Sequence, residues 1–184
     1  DALEMRGGIG YVEEFATARL LRDAHLGSIW EGTGNIVAID ALARAVGRHG
    51  ADSALAADLH ARINESAGVP AAWRTRLREL ADRAVGFARE VAGKMDNEGD
   101  ARRATSLLYH VASAVAFAWE GSRIHEMRGD ARRLLLSRMV VDHRLSGGDP
   151  FRLTESAAQR AITAHLLGDR DLGMAEVGEL LTAA

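Results

Sequence analysis

Cysteine is absent from this 184-residue chain, which excludes disulfides, thiolate nucleophiles and cysteine-ligated metals. Proline occurs twice, at Pro70 and Pro150, and aromatic residues make up 5% of the chain. Strands draw on aromatic and β-branched residues, so their scarcity beside abundant alanine points to helix. Lysine occurs once, at Lys94, and the other basic residues are arginine. Against that bias no single arginine signals a function by its presence. No apolar run approaches the roughly eighteen residues of a spanning helix, and no signal-peptide pattern stands at Asp1. A formal net charge of −3 gives no overall pull towards nucleic acid or anionic lipid.

What is present reads as an ordinary globular protein, 47% hydrophobic and 27% charged. The length suffices for a sizeable core and fits one domain or one and a half. A cytoplasmic setting is expected. The first residues, Asp1-Ala2-Leu3-Glu4-Met5-Arg6, read as the last turns of a helix stopped by Gly7, so the sequence is expected to continue something longer.

Helical spacing covers nearly every segment, and the expected fold is all-α. A short charged helix is expected over Glu14 to Ala24, then an extended loop from His25 to Gly32. Thr33 reads as an N-cap ahead of Ile36, Ile39, Ala43 and Val46. A second helix runs from about Ala51 to Ser66. Pro70 suits the first turn of a long helix whose apolar face is Trp73, Leu77, Leu80, Ala84, Phe87, Ala88 and Val91. After a connection at Met95–Asp100 the pattern repeats through Ala104, Leu108, Val111, Val115 and Ala118. Further helices are expected over Ala131 to Arg144, from a Thr154 cap to Leu167, and over Leu172 to Leu181. Trp73, Phe87 and Trp119 are expected in the core. Composition and spacing change near Gly47-Arg48-His49-Gly50, dividing a motif-bearing segment, 1–48, from an appended antiparallel helical domain, 49–184.

The chemistry-bearing pattern lies in that first segment. Gly7-Gly8-Ile9-Gly10 is followed by the pair Arg22-Asp23 and then by Ile29-Trp30-Glu31-Gly32-Thr33-Gly34-Asn35-Ile36. Glycines let a backbone approach a ligand closely, and a carboxylate on a constrained turn ahead of a helix can be aimed as a general base must be. Each piece alone has a plainer reading: a turn and C-cap, a structural ion pair, a solvated loop glutamate.

Taken together, in this order and spacing, these residues resemble the C-terminal signature of the acyl-CoA dehydrogenase flavoproteins. The resemblance covers the first 48 residues. It implies a FAD-dependent α,β-dehydrogenation of an acyl-CoA thioester, with Glu31 in the position of the catalytic base. It further implies that Glu4, Gly7, Gly8, Thr33 and Asn35 occupy cofactor-contacting positions. In the family the base's own amide helps polarise the thioester carbonyl, and desolvation among acyl and flavin surfaces raises a carboxyl's pKa. A homo-oligomer (dimer or tetramer), an electron-transfer flavoprotein and an acyl-CoA substrate are the implied partners. The chain departs from the usual pattern at Glu4, Trp30 and Asn35, where Gln, Tyr and Gln are commoner, and the motif is similar to the alkylation-response (AidB-type) branch. Members of that branch are tied to DNA as well as to flavin.

Two other readings stand beside the enzyme: a weakly active or non-enzymatic DNA-associated flavoprotein, and a helical oligomerisation module. Between Arg123 and Arg144 six arginines (123, 128, 132, 133, 138 and 144) face three acids, a local basic patch that could meet phosphates. In so arginine-biased a chain a solvated helix face is the preferred reading, and Arg132 and Arg133 are expected at the surface. His125-Glu126 lacks the second histidine of a zinc-binding helix, so no metal site is expected.

Overall fold

Alanine- and leucine-rich stretches become helices wherever apolar residues recur at three- and four-residue steps. A computed structural model describes residues 3–30, 32–94, 98–147 and 156–183, and among these the chain is all-α. A 3₁₀ turn at Glu4–Arg6 leads into α1 (Gly8–Tyr11) and α2 (Ala16–Leu26). Helix α3 (Gly34–Asp40) continues as a wider π-helical stretch, Ala41–Arg48. The bundle follows: α4 (Ala51–Glu65), α5 (Ala71–Gly93), α6 (Glu98–Arg128) and α7 (Arg133–Val140), the last widening over Val141–Leu145. Two shorter helices close it, α8 (Ala157–Leu167) and α9 (Met174–Thr182).

Several boundaries move from their expected places. The expected helix at Glu14–Ala24 sits two residues later, because Phe15 is extended and serves as the N-cap. Pro70 lies one position outside α5, where its carbonyl accepts the Arg74 amide at 3.1 Å. Thr154 falls outside the described residues. The cap of α8 is Ser156, whose hydroxyl accepts from the Gln159 amide while the Gln159 side chain accepts from the Ser156 amide, a reciprocal capping box.

The core forms where the stripes of α5 and α6 meet, with α4 and α7 flanking them. Leu77, Leu80, Ala84, Val111, Val115 and Ala118 are buried there with Leu134 and Leu135 of α7. Burying each such leucine or valine side chain contributes about 1.5–3 kcal/mol. Polar pairs fix the antiparallel register of α4 on α5: Arg78 donates to Asn64 at 2.7 Å, His60 meets Asp82 at 2.8 Å, and Arg89 closes on Asp52. Asp52 is only 4% exposed, so the Arg89 guanidinium is what makes its burial tolerable. Helix α7 crosses α6 so closely that a Cβ on Gly121 would lie 2.8 Å from the Leu134 backbone nitrogen.

Among the three aromatics expected in the core, Trp73 alone is buried, with Nε1 donating to Ser137 Oγ at 3.2 Å. Phe87 and Trp119 stand at the edges of their stripes and are half-covered by arginines. Arg103 lies 5.2 Å above Phe87, while Arg62 and Arg123 flank Trp119 at 5.0 and 5.6 Å.

A second, smaller core sits at the far end of α5 and α6. Ala38 of α3 and Leu42 of its continuation pack there against Ala88, Val91, Ala101 and Ala104. The last third of the motif-bearing segment is therefore docked on the bundle. Residues 3–30 instead pack on themselves, α1 against the 3₁₀ turn and α2.

Candidate functional site

The glycine cluster builds a tight entry to α1. Gly7 has φ +59°, a conformation that favours glycine, and its amide closes the 3₁₀ turn on the Glu4 carbonyl at 3.0 Å. Gly10 is needed for another reason: a Cβ there would collide with the Leu3 carbonyl. Gly8 is surrounded by open space. Glu4, Gly7 and Gly8 are all exposed.

Arg22 and Asp23 do not pair with each other. Arg22 donates from both terminal nitrogens to the Glu13 carboxylate, at 2.7 and 3.2 Å, while Asp23 lies 3.6 Å from Arg19. Adjacent helical residues point apart, so the partners come from the preceding loop and the preceding turn. The Arg22 guanidinium, by hydrogen bond and by charge, holds the Glu13 carboxyl below its usual range. Together with Arg6 donating to Thr17 Oγ1 at 3.4 Å, these bonds brace residues 4–23 as a unit.

Glu31 lies outside the described residues. Its neighbours are placed. Trp30 is 69% exposed, and Gly32 has φ +107°, which makes a side chain there strained. Thr33 is the N-cap of α3 by backbone conformation, φ −64° and ψ 153°, although its hydroxyl makes no cap bond. Its carbonyl accepts the Val37 amide at 3.1 Å. Asn35 Oδ1 accepts from Arg102 of α6 at 3.5 Å. Thr33 and Asn35 are thus supported by α3 and α6, and Gly7 and Gly8 by the turn and α1. The Arg102 contact is one that sequence reading missed, because nothing in the pattern links positions 67 residues apart.

The open backbone at Gly8 and Gly34, with no atom near where a Cβ would stand, fits the close approach of a flat cofactor. Glu4, Gly7, Gly8, Thr33 and Asn35 are all exposed, the first three on the turn and α1 and the last two at the start of α3. Several apolar side chains of the same segment are exposed as well: Ile9, Tyr11, Ile29, Ile36 and Val37.

The arginine-rich stretch is largely engaged within the protein. Arg123 pairs with Glu65 at 3.2 Å, Arg133 with Glu120 at 2.5 Å, and Arg138 with Asp142 at 2.7 Å. Arg132 departs from its expected surface place. Its side chain is 20% exposed and donates to the carbonyls of Gly168 and Arg170, tying the α8–α9 connection to α7. Among the described residues no group of three His, Asp or Glu side chains is placed to hold a metal ion.

Residues 1–47 match the family model described as acyl-CoA dehydrogenase, C-terminal domain, over the segment that carries the glycine cluster and the Trp30-Glu31-Gly32-Thr33 motif. The same segment is 52% identical over 42 residues to AidB of Escherichia coli (strain K12), whose name places it among the acyl-CoA dehydrogenases. It is 45% identical over 42 residues to acyl-CoA dehydrogenase family member 11 of Caenorhabditis elegans. Each match covers 23% of this chain and spans only 8% and 7%, respectively, of the relatives' lengths. No solved structure matches the chain.

Proposed function

We propose that residues 1–48 form the closing part of the catalytic helical domain of a FAD-dependent acyl-CoA dehydrogenase, followed by an appended helical domain at 49–184. The observation that supports this reading is the coincidence of the family match over 1–47 with the Trp30-Glu31-Gly32-Thr33-Gly34-Asn35 motif. Glu31 takes the proton from the acyl α-carbon, a weakly acidic position that needs a base held at one point. Gly32, at φ +107°, and Gly34, with open space at its missing Cβ, leave room beside it for a flat thioester. Glu4, Gly7, Gly8, Thr33 and Asn35 line one edge of the cofactor, and Arg102 holds the Asn35 amide in place. When bound, FAD supplies the acceptor for the β-hydride. Acyl-CoA is the substrate, and a homo-oligomer passing electrons to an electron-transfer flavoprotein completes the reading.

The test is Glu31→Gln in the flavin-loaded protein that carries this segment. Flavin content stays, while bleaching by acyl-CoA slows by about 10²–10⁴ or more, the range expected for loss of a general base. Reduction at the parent rate would remove Glu31 from the chemistry.

A further inference from the structure

At the junction of α6 and α7, on the bundle side of the molecule, lies a cavity of about 330 Å³, the lower end of the range for small-molecule sites. Its walls are of two kinds. Ile124, Leu136 and Leu166 supply an apolar surface, and Arg128, Arg132 and Arg133 bring three guanidiniums to the same space, with Asp130 the one carboxylate among them.

The positive charge is only partly met by close ion pairs. Arg133 has a close carboxylate, Glu120 at 2.5 Å. Arg132 spends its hydrogen bonds on neutral carbonyls, and its nearest carboxylates, Asp130 and Asp171, each stand 4.0 Å away. Its Nε–H is buried with no acceptor. Asp130 Oδ1 accepts the amides of Arg132 at 3.0 Å and Leu172 at 3.3 Å, so its one charge is shared between Arg132 and Arg128 without a close pair to either. Arg128, exposed in the last turn of α6, has no ion pair among the described residues. A cavity with an apolar wall and an under-compensated cationic mouth selects one chemistry.

We propose that this cavity binds a small amphipathic anion: a carboxylate or phosphate head held by Arg128 at the mouth, with a short alkyl chain against Ile124, Leu136 and Leu166. The site is independent of the flavoprotein reading, for it shares no residue with the opening segment.

The test is titration of the 184-residue chain with hexanoate and hexyl phosphate, followed by calorimetry and by amide chemical shifts. Both probes are expected to saturate one site in the millimolar range or tighter, moving the amides of Ile124, Arg128 and Leu136. 1-Hexanol, lacking the charge, and acetate, lacking the chain, bind about tenfold more weakly or less, as loss of a charge-assisted hydrogen bond or of apolar contact requires. Arg128→Ala weakens both anions about tenfold with unchanged circular dichroism and melting, and Arg128→Lys restores most of the affinity. If hexyl phosphate alone saturates, the head group is a phosphate; if both do equally, a single charge suffices. Failure of both anions to saturate, equal binding of hexanol, or undiminished binding to Arg128→Ala would overturn the proposal.

Discussion

Residues 3–30 leave Met5 89% exposed and Trp30 69% exposed, while Leu134 and Leu135 in the bundle are wholly covered. The first region carries Glu4, Gly7 and Gly8 of the family-matched segment but holds itself together with surface ion pairs and one buried alanine, Ala18. The second carries no matched residue and nearly all of the apolar core. Surface ion pairs are worth little, typically below about 1 kcal/mol each, whereas a core of this kind is worth tens in gross terms. The family-matched segment and most of the apolar core therefore lie in different parts of the chain. Helix α3 joins them, with Thr33 and Asn35 at its start and Ala38 in the smaller core.

Breaking the bundle should have the largest effect. Leu80→Asp or Val111→Asp places a lone carboxylate among covered apolar side chains and is expected to cost more than about 4 kcal/mol. Circular dichroism should show loss of most helix at a temperature where the parent is folded. Gly121→Ala comes next, because its methyl would press on the backbone of Leu134, which cannot yield as a flexible side chain would. A loss of about 1–3 kcal/mol in urea unfolding is expected, although alanine is the better helix former.

Arg132→Ala removes the bonds that hold the α8–α9 connection and should cost about 1–2 kcal/mol, against less than about 1 for Arg133→Ala. Equal effects would show that Arg132 is the surface residue its sequence context suggests. Acidification gives a smaller, signed change through Asp130. Burial alone would raise its pKa, but the amides of Arg132 and Leu172 and the guanidiniums of Arg132 and Arg128 outweigh that and hold it below the ordinary aspartate value. Its folded value is thus depressed, so its stabilisation is complete above the unfolded value and is lost as pH falls through the folded one. Asp130→Asn, which can still accept an amide, should flatten the acid limb of stability against pH. Least of all, Met5→Ser and Leu20→Ser should change stability by no more than about 0.5 kcal/mol, since both side chains are already in solvent.

The sequence made the bundle legible because burial there follows helical spacing. Leu77, Leu80, Ala84, Ala88 and Val91 on α5, with Val111, Val115 and Ala118 on α6, lie in the cores where the stripes put them. What it could not supply was anything set by tertiary partners. Arg22 was adjacent to Asp23 but found Glu13. Arg132 looked like one of a run of surface arginines, yet it reaches two carbonyls brought near by the chain's return. The family motif was visible as an order of residue types, and Gly7 and Gly32 keep the positive φ that explains their identity. Gly10 did not fit that explanation; the Leu3 carbonyl, invisible in sequence, is what excludes a side chain there.

The most direct measurement of this division is amide hydrogen exchange on the 184-residue chain, resolved by segment. Amides in the middle of α5 and α6 are expected to exchange only through global unfolding, and to lose protection together in Leu80→Asp. Those of α1 and α2 are expected to exchange orders of magnitude faster, by local opening, and to be indifferent to Gly121→Ala. Equal protection across α2 and α5, falling in concert in the bundle variants, would contradict the account and make the chain one cooperative unit.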